Sequence, residues 1–179
     1  MPLSMSINPH QMKWLREFSD TFIETGTHDS GGVQSALEAD FDDIMSCELD
    51  LQRYNASKYM AGLNQTHKIT LLYGDSAQLL PVMLYCARKP AVVFLDAHFD
   101  PSEGKGEGIP LDKELDALLL CPEHGHLVVV DDVDLCDKPQ MPGWSLDKIK
   151  ARLLEINPAY KFSLDWGARN DGLLIADPR

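Results

Sequence analysis

Four side chains able to bind a metal or move a proton stand just past two apolar runs. Asp96 and His98 follow the run in "VVFLDAHFD", and Asp131 and Asp132 follow the one in "LVVVDDVD". Continuous apolar runs of this kind suit central strands of a parallel sheet, covered on both faces. If the two strands are neighbours, their carboxyl ends lie about 5 Å apart, and three carboxylates and an imidazole share one small space. Carboxylates so grouped repel, and the usual relief is a raised pKa or a bound cation. A hard divalent ion with oxygen ligands, Mg2+ or Ca2+, is the natural occupant of Asp96, Asp131 and Asp132. His98 is two residues beyond Asp96, so in extended backbone both side chains leave the same face. Its imidazole would then take or orient a proton on a hydroxyl held there. The competing account is that Asp131 and Asp132 cap a loop and contact water.

A second group of residues has a different chemistry. In "FIETGTHDSGG" an apolar run turns through Gly26, Gly31 and Gly32 into a helical pattern, "VQSAL". Many proteins hold a nucleotide-like ligand on such a turn, although three glycines near a strand end also serve as plain turn residues. Glu48 in "SCELD" comes 22 residues after Gly26, where an acid can accept hydrogen bonds from both ribose hydroxyls. An acid after a strand is otherwise a helix cap, and Asp50 is placed to do that job. In "LYGDSAQLL", Asp75 and Ser76 are polar residues after a third strand and also candidate N-caps. Three polar loops after three successive strands lie at one edge of a sheet, where ligands of open α/β folds bind.

The elements that would position these residues alternate along the chain. Strand-like runs are "TFIET", "DDIMSCEL", "HKITLLYG", "AVVFLDAHF", "HLVVVDDVDL", "AYKFSLDW" and "DGLLIADP". Helical-period runs are "PHQMKWLREF", "GVQSALEAD", "DLQRYNASKYMAGL", "SAQLLPVMLYCAR", "PLDKELDALLL" and "SLDKIKARLLEI". This alternation predicts an α/β sheet of seven strands, mostly parallel, with helices on both faces. Only "GARN" separates the last two strands, too short for a helical crossover, so they should form an antiparallel hairpin. With 179 residues, no internal repeat and no linker, residues 1–179 read as one domain.

Composition narrows the class. Sixteen Lys and Arg against 28 Asp and Glu leave a formal charge of −12, which repels phosphate backbones and argues against nucleic acid as a partner. The longest apolar stretch, "LLPVMLYCA", is too short to span a bilayer, and the amino terminus lacks a signal-peptide layout. A cytoplasmic location is expected. Cys47, Cys86, Cys121 and Cys136 show no CxxC spacing and read as buried free thiols.

The order of elements, ending in a hairpin, resembles the class I S-adenosylmethionine-dependent methyltransferases from Thr21 to Pro178. The glycines do not match the GxGxxG of a nicotinamide-binding Rossmann domain. The resemblance implies a Rossmann-like methyltransferase sheet with S-adenosylmethionine as cofactor. It places Glu24 at the end of the first strand, and Gly26 and Gly32 on the turn, with the cofactor's methionine part crossing Gly26. It puts Glu48 on the ribose, and Asp75 with Ser76 at the adenine amino group. The acids after strands four and five are similar to those of metal-dependent O-methyltransferases of the catechol and macrocin types, in which they hold Mg2+. That likeness implies O-methylation of a small-molecule or glycan-type acceptor, with Asp96 and His98 catalytic. The loop "HFDPSEGKGEGIPLDKEL" also resembles poorly characterised methyltransferase-like proteins, through Asp96, His98, Gly106, Pro110, Glu114 and Leu115. Glu114 reads equally well as a solvated first-turn acid.

Other outcomes stay open: a cofactor-binding protein without methyl transfer, or a metal-dependent hydrolase on a similar sheet. Glu48 and Asp75 discriminate, because a hydrolase has no need of them. The loop from Asp100 to Gly108 is expected to cover the acceptor site. A homodimer is compatible with the chain. His28 reads as a solvent-facing loop residue, and His124 and His126 show no partner. Trp144 is expected to staple the helix that follows it.

Overall fold

The computed structural model describes residues 7–59, 67–87, 89–97, 109–121, 125–165 and 172–179. The chain enters through α1 (Pro9–Phe18), whose start is fixed by a capping box. Asn8 Oδ1 accepts from the amides of His10 and Gln11, and Gln11 Oε1 accepts from the amide of Asn8, all at 3.0 Å. Then follow β1 (Thr21–Thr25), α2 (Gly31–Glu38), β2 (Asp43–Glu48), α3 (Leu51–Tyr59), β3 (Ile69–Tyr73) and α4 (Ser76–Ala87). The second half holds β4 (Val92–Leu95), α5 (Leu111–Leu119), β5 (Leu127–Val130), α6 (Leu146–Ile156), β6 (Lys161–Asp165) and β7 (Leu173–Asp177).

The strands form one seven-stranded sheet in the order β3-β2-β1-β4-β5-β7-β6. The first five run parallel, and β7 is antiparallel to both β5 and β6. The terminal hairpin is therefore present. The chain leaves β1 toward β2 and β3, then returns to lay β4 on the other side of β1. Strand order reverses at that point, and open α/β sheets bind ligands in the crevice it creates.

Alternation along each strand divides the core into two layers. Ile23, Met45, Cys47, Val93, Leu95, Val128 and Val130 pack with residues of α4, α5 and α6. Phe22, Ile44, Val92, Phe94, Leu127 and Val129 pack with residues of α1 and α2 on the opposite face. The same alternation assigns Glu24, Ser46 and Glu48 to the α1/α2 face, at its carboxyl end. Trp144 stands just before Ser145, whose Oγ accepts from the Lys148 amide to cap α6. It is buried in one cluster with Ile149, in keeping with a staple between the residue before the cap and the fourth helical residue. Among the described residues no helix is long and apolar enough to cross a membrane.

Candidate functional site at the carboxyl edge of the sheet

The turn between β1 and α2 concentrates left-handed backbone within five residues. Gly26, His28 and Ser30 all have positive φ, at 83°, 48° and 67°. For the two non-glycine residues this left-handed conformation is strained, a state found mostly where the surrounding structure enforces it for function. Gly26 is required twice over: a Cβ there would lie 2.6 Å from the Asp96 carbonyl oxygen on the next strand end. At Gly32 a Cβ would lie 1.8 Å from Glu24 Oε1. Both glycines thus serve close approaches inside the protein, in addition to any approach of a ligand. The amides of Gly26 and Thr27 both donate to the Cys47 carbonyl at 3.0 Å, tying the turn to β2.

Glu24 sits within β1, one residue short of its end, and is buried. Ser46 Oγ donates to its Oε2 at 2.7 Å, and Thr27 Oγ1 lies 2.7 Å from Ser46 Oγ. Burial pushes the Glu24 carboxyl well above its ordinary pKa. Ser46 opposes the shift, while Asp96, Asp29 and Glu48 add to it.

Glu48 ends β2 as a buried carboxylate with both oxygens engaged by backbone. The His28 amide donates to Oε2 and the Asp50 amide to Oε1, each at 2.8 Å. Asp50 takes the capping role, its Oδ1 accepting from the amides of Gln52 and Arg53 at 2.8 and 2.9 Å. Glu48 is thereby a clamp between the β1–α2 turn and the β2–α3 loop. Asp75 Oδ1 accepts from the Ala77 amide at 2.9 Å, so Asp75 caps α4, and Ser76 is buried in its first turn.

Asp96 and Asp131 follow Leu95 and Val130, which are register partners in neighbouring strands. The Asp131 amide donates to the Leu95 carbonyl, which extends the ladder by one rung. Asp131 is buried, and its Oδ1 accepts the amide of Asp132, a residue with φ of 58°. Strand-end convergence is thus as expected for the backbone. The side chains are another matter: among the described residues no three His, Cys, Asp or Glu groups are gathered so that they could hold a metal ion. His98 and the loop of residues 100–108 lie outside the described residues.

Several expectations change. Glu114 is buried at 2% exposure in α5, not a solvated first-turn acid. His126 is buried at the amino end of β5, where Nδ1 accepts the Ala91 amide at 3.1 Å. All four cysteines are free, but only Cys47 is buried and Cys86 is exposed. Cys86 follows Tyr85 on the outward side of an apolar helix, so its apolar neighbours in sequence did not imply burial. Desolvation raises the Cys47 thiol and pushes Cys136 up to about 11, which leaves both poor nucleophiles.

The structure also adds Ser46, Thr27 and Ser30 to the site. Ser46 was detectable as the polar residue inside the apolar run "IMSC". Ser30 Oγ is buried with no hydrogen-bond partner among the described residues, at the first turn of α2.

No protein-family model matches the chain, and no curated protein matches it. Solved structures do. The O-methyltransferase TomG from Streptomyces achromogenes, involved in tomaymycin synthesis and crystallised with S-adenosylmethionine, superposes with a TM-score of 0.60. It is 18% identical and aligns over 96% of this chain and 81% of its own. The O-methyltransferase from Bacillus cereus in complex with S-adenosylhomocysteine gives 0.61 at 14% identity, over 98% and 83%. Spermidine synthase from Thermotoga maritima gives 0.61 at 14% identity, over 95% and 57%. The fold is therefore a Rossmann-like sheet of the kind found in these methyltransferases and in the spermidine synthase. At these identities it is the architecture that is shared.

Proposed function

We propose that the chain is an S-adenosylmethionine-dependent methyltransferase acting on an oxygen of a small-molecule or glycan-type acceptor. The observation that carries this reading is Glu48, an acid at the end of β2 locked by two backbone amides beside the strained β1–α2 turn. Neighbours of the same fold are crystallised with S-adenosylmethionine and S-adenosylhomocysteine, which supports the choice of ligand.

In this reading the free lone pairs of Glu48 accept the ribose hydroxyls. Gly26 and Gly32 keep the turn low, so that the methionine part passes over backbone. Glu24 supports the turn from beneath, and Asp75 and Ser76 meet the adenine edge from the start of α4. The cofactor supplies an electrophilic methyl group on a sulfonium. Beside the β4 end, Asp96 orients the acceptor hydroxyl and His98 takes its proton, so that rate comes mainly from positioning. A divalent ion at Asp96, Asp131 and Asp132 belongs to the reading as an addition. The described carboxylates are not grouped for it, so no step is assigned to it.

Titration calorimetry with S-adenosylhomocysteine, with and without Mg2+, tests the cofactor. Methyl transfer from labelled S-adenosylmethionine to catechol and sugar hydroxyls tests the reaction. Absence of binding at millimolar ligand sinks the proposal. Binding without transfer to any acceptor reduces it to a cofactor-binding protein. Transfer at full rate in chelator removes the metal.

A further inference from the structure

The two outermost strands of the sheet are finished differently. β6 begins with Lys161 and ends with Asp165, charges of the kind that keep an edge from pairing. β3, with the sequence "ITLLY", carries no charge. None of its residues is buried, whereas β1, β4 and β5 are buried throughout. Among the described residues no strand lies outside it. Its backbone directions follow from its pairing with β2. The Lys68 carbonyl accepts from the Ile44 amide at 2.7 Å, and the Gly74 amide donates to the Glu48 carbonyl at 2.9 Å. Backbone groups alternate sides along a strand, so those of residues 68, 70, 72 and 74 bond inward. The amides and carbonyls of Ile69, Leu71 and Tyr73 therefore point away from the sheet.

We propose that this edge pairs with the same edge of a second copy of the chain, antiparallel, about a twofold axis at Leu71. In that register Leu71 lies opposite the partner's Leu71, and Ile69 opposite the partner's Tyr73. Each pair exchanges both of its N–H···O=C bonds, so every outward group of the three residues finds a partner. Any other register leaves some of them unpaired within the strand. The side chains agree. Ile69 and Leu71 are half-buried against their own core layer, and Tyr73, 52% exposed with the Tyr54 ring 5.5 Å away, is left to be covered. Apolar side chains thus meet apolar ones across the axis. Charge favours a second copy in this direction. Antiparallel pairing lays His67 and Lys68, before each strand, beside Asp75 beyond the end of the other, where parallel pairing would set like ends together. The chain as a whole carries −12, so two copies approach most readily across a neutral strand. Nothing in this pairing requires a bound cofactor.

Sedimentation equilibrium of the full chain should give twice the chain mass, and amide exchange followed by NMR should locate the contact. In the associated protein the Ile69, Leu71 and Tyr73 amides should be protected and should exchange about tenfold faster or more on dilution. Thr70 and Leu72, bonded to β2, should stay protected at both concentrations. Tyr73→Lys, which sets a charge against the partner's Ile69, should weaken association by about tenfold or more. Should that variant not fold, the dilution series on the native chain decides alone. A monomer at millimolar concentration overturns the proposal, as does a dimer whose three outward amides exchange fast. A monomer with those amides protected also overturns it, because the chain itself would then cover the edge.

Discussion

The two ends of the sheet treat charge in opposite ways. At the amino end, acids meet bases. Arg16 pairs with Asp42 at 3.1 Å, Lys68 reaches Asp40 at 2.9 Å and Asp42 at 3.2 Å, Lys89 pairs with Asp20, and Arg179 holds Asp177 at 2.6 Å. The hydrogen bonds from Lys89, Lys68 and Arg179 pull Asp20, Asp40 and Asp177 below the usual carboxylate range. His126 and Tyr160 complete that end, the Tyr160 hydroxyl donating to the His126 carbonyl at 2.7 Å. At the carboxyl end, burial raises the pKa of Glu24, and the negative charges of Asp96, Asp29 and Glu48 add to the rise. Left-handed residues occur at both ends, Asp40 at the amino end and Gly26, His28, Ser30 and Asp132 at the carboxyl end. Among the described residues, the amino end thus sets acids beside bases and the carboxyl end sets acids beside a buried acid.

The largest expected effect breaks the carboxyl end outright. In Gly26→Ala the added Cβ meets a backbone carbonyl in a left-handed residue, and no flexible side chain can yield. A loss of about 3 kcal/mol is expected from the left-handed alanine and the overlap together. An unchanged denaturation midpoint would contradict the described turn.

Glu48→Ala should weaken S-adenosylhomocysteine binding by about 1.5–3 kcal/mol, through lost charge-assisted hydrogen bonds. Because Glu48 also holds the His28 and Asp50 amides, those two should exchange faster in the variant. Normal affinity would end the ribose assignment, and unchanged exchange would end the clamp. At the opposite end, Tyr160→Phe deletes one buried hydrogen bond and leaves the His126 carbonyl short of a donor. It should cost about 1–2 kcal/mol by chemical denaturation, with no change in ligand affinity.

Protonation sharpens the contrast. Glu24 has a folded pKa above its unfolded value, so between the two the folded state binds more protons. Its contribution to stability therefore falls as pH rises from the unfolded toward the folded pKa. Glu24→Gln should flatten that slope and hold stability at neutral pH. Asp20 has the reverse sign. Its pKa is depressed, so its contribution is present above the unfolded value and is lost as pH falls through the folded one. Lys89→Met removes the cause, but the pair is largely exposed and screened, so the loss should not exceed about 0.5 kcal/mol and should shrink in salt.

The sequence alone determined the fold. Continuous apolar runs such as "LVVV", helical-period runs between them, and a spacer too short for a crossover leave few topologies open, because a parallel sheet and its helices are local patterns repeated along the chain. It also determined which strand ends carry acids, and Glu48 with Asp50 as alternative cap and binder. Only the tertiary structure showed that Asp50 takes the cap, since a cap is recognised by which amide a carboxylate reaches. The same holds for Glu24, whose environment comes from Ser46 on β2, Gly32 on α2 and Asp96 beyond β4. It holds too for Asp131 and Asp132, whose backbone positions were legible while their side-chain directions were not. Strand periodicity is set by neighbouring residues, whereas the direction of a side chain past a strand end depends on dihedral angles that distant contacts impose.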